Sequence, residues 1–297
     1  MAVQARFAFE RYIGIDWSGA KGSHLRGLQV ALCERGTSPP KLITPASGGD
    51  WHREKLIRWV IEEAANTRIL VGADFGFAYP YLDKGAYFPE YPESPKSALT
   101  LWQTIEKICS NEPDFYAGPF YKSPDAPLRE YLHYPRHKGS HFNHRLRRTE
   151  RAATSIHATP ACMFKCIGKG QVGVGSAAGM RALHFFATNH NNILSIWPFD
   201  SLVESKSILV EIFPRLFFTL AKKDPQKWSD ISTVNAVLKH FGSEPLMQGA
   251  TIGSEDEVDA IVSAAALRFL SCSVSAWHPQ GLDEETQRLE GWIFGCL

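Results

Sequence analysis

Four short apolar stretches of this chain each carry a carboxylate where one is costly. They are Tyr12-Ile-Gly-Ile-Asp16, Ile69-Leu-Val-Gly-Ala-Asp74, Ile208-Leu-Val-Glu211-Ile-Phe213 and Asp256-Glu-Val-Asp259-Ala-Ile-Val. The first three have the composition of buried strands, and the fourth that of a largely apolar helix. A lone ionised carboxylate in such surroundings bears a large desolvation penalty. Several that converge on one point are accounted for if a divalent cation neutralises them. The chain must therefore fold so that three strand ends and one helix meet.

A length of 297 residues with 44% hydrophobic content supports a full-sized core, read here as one domain over 1–297 with an insertion at about 79–192. The net charge of +1 means that any affinity for nucleic acid must come from a local patch. The six cysteines form no compact disulfide framework. No apolar signal segment opens the sequence, and no run approaches the roughly 20 apolar residues that cross a bilayer. The expectation is a cytoplasmic protein with reduced thiols and no membrane partner.

Turn residues divide 11–46 into three strands, at 11–17, 28–34 and 41–44, in a meander. A helix capped by Asp50 follows, with apolar positions at Leu56, Ile57, Val60, Ile61 and Ala64, and then a strand at 68–75. Three strands, a helix and a further strand match the opening of a ribonuclease H-like mixed sheet flanked by helices. A doubly wound fold would alternate strands and helices from the start. Within the irregular insertion, a helix is expected at 95–110, with Ser94 as N-cap and Pro95 in its first turn. A long loop at 111–148 follows, then a glycine-rich run, 168–175, leading into a helix at 177–187. Strands at 193–199 and 208–213, helices at 215–222, 230–241 and 255–271, and a short strand at 291–294 complete the α/β pattern.

Asp16 and Asp74 each end a strand, and carboxylates at adjacent strand ends can meet across the roughly 4.8 Å strand spacing. Asp256 and Asp259 are three apart and share a helix face, while Ala260, Ala264, Ala265 and Ala266 let that helix approach a sheet closely. Hard oxygen ligands of this kind suit Mg2+ or Mn2+. Two such ions roughly 3.5–4 Å apart activate a water and stabilise the leaving oxygen of a phosphodiester. Each acid also has a local explanation: Asp16 and Asp74 as turn formers, Glu211 on an edge strand, Asp256 and Asp259 in a helix's first turn. Those explanations serve one site apiece, whereas a shared metal centre serves all of them.

The order of Gly-Ile-Asp16, a mid-strand Glu211 and a terminal Asp256-x-x-Asp259-Ala260 is similar to that of the ribonuclease H superfamily, and the terminal pair to RuvC-type junction resolvases. More closely, the chain resembles domain-of-unknown-function family 429, described as a predicted nuclease of ribonuclease H-like fold. The segments that carry the resemblance are 12–21, 71–80, 171–176, 197–200, 211–215, 256–260 and 290–295. The resemblance implies a metal-dependent nuclease with Asp16, Asp74, Glu211 and Asp259 as metal ligands, Asp256 as an accessory ligand at the catalytic site, and DNA or RNA as substrate. An alternative keeps the sheet but makes the protein a nucleotide-dependent phosphotransferase of the actin or sugar-kinase type. Against it, the chain has no later Asp-x-Gly-Gly-type phosphate turn. A third reading is a non-catalytic nucleic-acid-binding module.

Between Arg129 and Arg151 lie seven Arg or Lys against two acids, interleaved with Tyr131, Tyr134 and Phe142, which is a nucleic-acid-binding composition. Arg145, Arg147 and Arg148 are the expected phosphate contacts, with Lys21 and Arg215 near the acids as contacts to a scissile phosphate. Glu150 is expected to orient Arg148 or to add a carboxylate to the metal centre. The histidines at 133, 137, 141 and 144 lack nearby cysteines, which argues against zinc. The 168–175 run could hold a phosphate on its amides, but it lacks the full phosphate-loop pattern and is better explained by a tight turn.

Overall fold

The computed structural model describes residues 9–22, 24–168, 171–247, 249 and 252–297. The elements in chain order are β1 (Arg11–Asp16), β2 (Gln29–Glu34), β3 (Lys41–Leu42), α1 (Arg53–Asn66), β4 (Ile69–Asp74), α2 (Ala98–Cys109), α3 (Gly118–Lys122), β5 (His133–Tyr134) and β6 (His137–Lys138). They continue with α4 (Arg148–Ser155), α5 (Val172–Asn189), β7 (Leu194–Ile196), β8 (Ser207–Glu211), α6 (Pro214–Leu220), α7 (Ile231–His240), α8 (Glu255–Leu270), α9 (Val274–Trp277) and α10 (Glu284–Leu289). Six strands form a mixed sheet in the order β3-β2-β1-β4-β8-β7. The first three are antiparallel neighbours, and β1, β4, β8 and β7 run parallel. The protein is thus mixed α/β, with helices flanking a six-stranded sheet. Among the described residues no helix is long and apolar enough to cross a membrane.

Strand alternation separates two cores. On one face Ile13, Ile15, Val30, Val71, Ala73 and Leu209 pack with residues of α1, α2 and α5. On the other, Tyr12, Ala31, Cys33, Leu70, Val210 and Ile212 pack with α6, α7 and α8. α8 lies across β1 and β2 and reaches β4. Its close approach depends on Gly14, where a methyl group would meet the Ala260 carbonyl, the Ala264 amide nitrogen at 2.7 Å and the Ser263 Cβ at 2.8 Å. Two of these are backbone atoms and cannot swing aside. The alanine face of α8 and the small residue on β1 together let the helix lie close across β1 and β2.

Several expected boundaries move for local reasons. α1 starts at Arg53 rather than after Asp50. His52 is its N-cap, and Asp114 accepts the Glu54 amide at 2.8 Å from across the chain. α2 starts at Ala98, capped by Ser97 in a reciprocal box with Thr100, because the Ser94 hydroxyl is already accepting the Phe88 amide at 3.2 Å. The 111–148 stretch contains α3, a 3-10 turn at Pro127–Tyr131 and the β5–β6 hairpin. The expected closing strand at 291–294 is reduced to a single parallel bridge, Glu211 to Ile293.

Candidate metal centre

Asp16 and Asp74 are direct partners in the parallel β1–β4 pair, so their side chains leave the sheet side by side. Counting back by two reaches Gly14 and Gly72. A methyl on either would run into the layer beneath α8, at Ser263 (2.8 Å) from Gly14 and at Leu267 (2.9 Å) from Gly72, so both aspartates face that helix. Ser254 caps α8 through the Glu257 amide at 3.2 Å, which leaves Asp256 free of that duty. Asp256 and Asp259 lie one turn apart at the N-terminal end of α8.

The electrostatics match this convergence. Asp16 titrates well above the ordinary carboxylate range, first because protein atoms displace water from it and then because Asp74, Asp259 and Asp256 repel its charge. Asp259 is raised well above that range by desolvation, then by Asp74, Glu255 and Asp256, with Arg215 pulling the other way. Asp74 is pushed up to about 7 by desolvation and by Glu211, again opposed by Arg215. Asp256 is raised by desolvation and by its helix neighbours Glu255 and Glu257. Asp16, Asp74 and Asp256 line one cleft of about 620 Å³. These are carboxylates crowded without enough counter-charge, the condition that a bound cation relieves.

Glu211 does not join them as a ligand. It lies in register with Ala73 and has the parity of Leu209, on the sheet face opposite Asp16 and Asp74. Both its oxygens are engaged: Arg147 grips them through Nη1 (2.8 Å) and Nη2, and Oε2 also accepts the Phe77 amide at 2.9 Å. Arg147 in turn donates to Glu150 Oε1 at 2.9 Å and to the Glu290 carbonyl at 3.0 Å. All four residues are at most 3% exposed. Burial alone would lower the Arg147 affinity for its proton, but Glu150 and Glu211 outweigh that and raise it. Glu150 stays raised, because its burial outweighs the help from Arg147. Glu211 remains close enough to lift Asp74, yet it is a structural acid.

Two of the expected phosphate-binding arginines, Arg145 and Arg147, are likewise spent inside the fold, and Arg148 is paired at its surface. Arg145 is buried, paired with Asp83 Oδ2 at 2.9 Å and Oδ1 at 2.6 Å, and donates to the carbonyls of Pro80, Ala86 and Tyr87. Arg147 is the centre of the network just described. Arg148 bonds Asp283 at 2.6 Å and Thr286 at 2.8 Å. Their charges tie the 145–148 segment to its surroundings, so they do not form an open basic surface. Lys21 turns away from the acids, toward Glu112 at 4.0 Å and the Tyr116 ring. Arg215, at the start of α6, does line the acidic cleft, with Glu255 at 3.4 Å. The histidines of the basic stretch hold no common site: His137 meets Glu130 at 3.1 Å and His141 stacks on Tyr131.

Lys169 and Gly170 of the glycine-rich run lie outside the described residues. From Val172 onward the run is the first turn of α5 and not a tight turn, and Gln171, Val172, Val174 and Gly175 line the same cleft as Asp16 and Asp74. Gly173 is needed where the helix abuts the 163–166 backbone, and Gly19 lets the turn after β1 sit on the first turn of α5. Two further residues, Arg147 as the buried counter-ion and Glu290 as a buried acceptor of the Tyr81, Leu82 and Arg148 amides, had no sequence signal beyond their charge.

As a donor set, Asp16, Asp74, Asp256 and Asp259 fit a hard divalent ion in kind: all oxygen, all anionic, all at one end of the sheet. Their carboxylates are not drawn into a ready-made shell. Among the described residues no group of three or more His, Cys, Asp or Glu side chains is already in position to hold an ion. No family model, no curated protein and no solved structure matches the chain.

Proposed function

We propose that this protein is a Mg2+- or Mn2+-dependent phosphodiesterase acting on nucleic acid, on a sheet of ribonuclease H-like type and in the manner of the nuclease family it resembles. The observation that carries the reading is the side-by-side emergence of Asp16 and Asp74 under an α8 that brings Asp256 and Asp259 to the same end of the sheet. The meander β1–β3, the connecting helix α1 and the parallel β4 are the elements expected of such a fold.

Asp16, Asp74 and Asp259 would hold the cation, with Asp256 in support. When bound, the ion supplies an activated water and stabilises charge on the leaving oxygen. Arg215 offsets the charge on Asp74 and Asp259 and stands where a substrate phosphate would enter the cleft. Trp17 and Phe75, with rings 5.1 Å apart, pack together beneath the cleft and keep its floor rigid.

The test is cleavage of single-stranded, duplex and branched oligonucleotides in Mg2+ or Mn2+, with nucleotide hydrolysis measured alongside. Cleavage should require the ion and fall by roughly two orders of magnitude or more in Asp16→Asn and Asp259→Asn, since even outer partners of metal ligands are worth 10–100-fold. Unchanged cleavage in Asp16→Asn, or turnover of nucleotides alone, would overturn the reading.

A further inference from the structure

With Arg145 and Arg147 buried and Arg148 paired to Asp283 at the surface, the unpaired cations for a polyanion lie elsewhere. We propose that Lys122, Arg136 and Lys138, on and beside the β5–β6 hairpin, form a cationic arm that binds the phosphate backbone of nucleic acid next to the acidic cleft. This rests on the nucleic-acid reading above.

The first observation is conformational. The hairpin connects Tyr134 to His137 through Pro135 and Arg136, and Arg136 takes φ 66°. That is the second position of a turn in which proline suits the first place and glycine or asparagine the second. An arginine there bears a backbone cost that glycine would not. Its side chain recovers nothing within the protein, since it has no hydrogen-bond or carboxylate partner among the described residues. A strained residue whose charge reaches only solvent is explained by a ligand for that charge.

The second observation is pre-organisation. The Lys122 ammonium donates to the Tyr116 hydroxyl at 2.5 Å and lies 5.2, 5.7 and 5.8 Å from the rings of Tyr116, Tyr121 and Tyr134. Lys138 lies over the Phe142 ring at 5.4 Å. Neither has a carboxylate within 4 Å among the described residues. Aromatic faces hold both ammoniums in place without neutralising them. The acid on the hairpin's own flank, Glu130, is already engaged by the Ser140 amide at 3.0 Å and the Ser140 hydroxyl at 3.1 Å.

The third is position. The His133 amide donates to Phe164 and the Cys166 amide to His133, so β5 leans on the 164–166 strip. That strip continues from Met163, a wall of the cleft, and its Lys165 carbonyl accepts the Gly173 amide at the start of α5. The 164–166 strip thus links the arm to the wall of the cleft that holds Asp16 and Asp74.

The experiment measures binding of fluorescent 20-nucleotide single strands and duplexes across a salt series in Ca2+, using the full-length protein. Removing three phosphate contacts should make the log–log salt slope shallower by about 2 to 3 in Lys122→Gln/Arg136→Gln/Lys138→Gln. Arg136→Gly separates binding from structure: affinity should fall several-fold while the melting temperature holds or rises, because glycine relieves the turn. An unchanged slope in the triple variant, no binding by the parent to either probe, or a lower melting temperature with full affinity in Arg136→Gly would each overturn the arm. Equal competition by polyglutamate at matched charge would overturn nucleic acid as its partner. Cleavage in Mn2+ is read on the same preparations. Cleavage with an unchanged slope rejects the arm alone, and arm-dependent binding without cleavage rejects the phosphodiesterase alone.

Discussion

The cleft brings together two groups of carboxylates that share composition and location and differ in counter-charge. Glu211 and Glu150 are buried, bonded to one guanidinium and supported by backbone amides. Asp16, Asp74, Asp256 and Asp259 are partly open and press on one another, and among the described residues the half-exposed Arg215 offsets Asp74 and Asp259. The first group is a finished electrostatic unit, and nothing needs to bind for it to be stable. The second group is unfinished: desolvation and mutual repulsion raise all four acids above the ordinary carboxylate range. Acids that the fold has already satisfied hold the scaffold, and acids it leaves in conflict are the candidates for a ligand site.

The largest expected effect breaks the finished side. Arg147→Met should destabilise the protein by about 3–5 kcal/mol in urea melts, because Glu150 and Glu211 are left as buried charges without a partner. A loss under 1 kcal/mol would mean that the network is not the buried unit described. Glu211→Gln keeps the shape and removes one charge. It should cost about 1.5–3 kcal/mol, the range for hydrogen bonds to charged groups.

The same isosteric change on the unfinished side should have the opposite sign. Below its ordinary value near 3.8, Asp74 is protonated in both folded and unfolded chains and carries no penalty. Between about pH 4 and 7 the unfolded chain gives up this proton while the folded chain keeps it, so the folded state loses ground. Without divalent ions, Asp74→Asn should therefore be more stable than the parent at pH 8, by on the order of 1–2 kcal/mol after allowing for solvent screening. The gain should vanish by pH 4. A variant equally destabilised at both pH values would place Asp74 with the structural acids.

The sequence and the structure agree where one local pattern determines the outcome. β1 and β4 are short apolar runs ending in aspartate, and their parallel pairing brings the two acids together. The small-residue face of α8 and its acidic first turns could be read in the same way. Glu211 could not. In a strand buried on both faces, Leu209 and Val210 are equally apolar, so the sequence does not say which face the glutamate takes. Nor does it say that an arginine 64 positions away will reach it. The run of basic residues at 129–151 misleads for a related reason: a count of charges cannot distinguish Arg145, folded onto Asp83 and three carbonyls, from Arg136, which faces solvent. The helix caps at His52 and Ser97 are not legible because neighbouring capping residues compete and tertiary contacts choose among them.

Calorimetric titration with Mn2+, paired with anomalous diffraction from manganese-soaked crystals, tests the central claim most directly. The expected result is saturable binding with proton release at pH 6–7, since the carboxylates must give up their raised protons to the ion. Anomalous density should lie between Asp16, Asp74 and Asp259, and both signals should be lost in Asp16→Asn but kept in Glu211→Gln that remains folded. Density at Glu211 instead, or manganese binding unaffected by Asp16→Asn, would contradict the assignment.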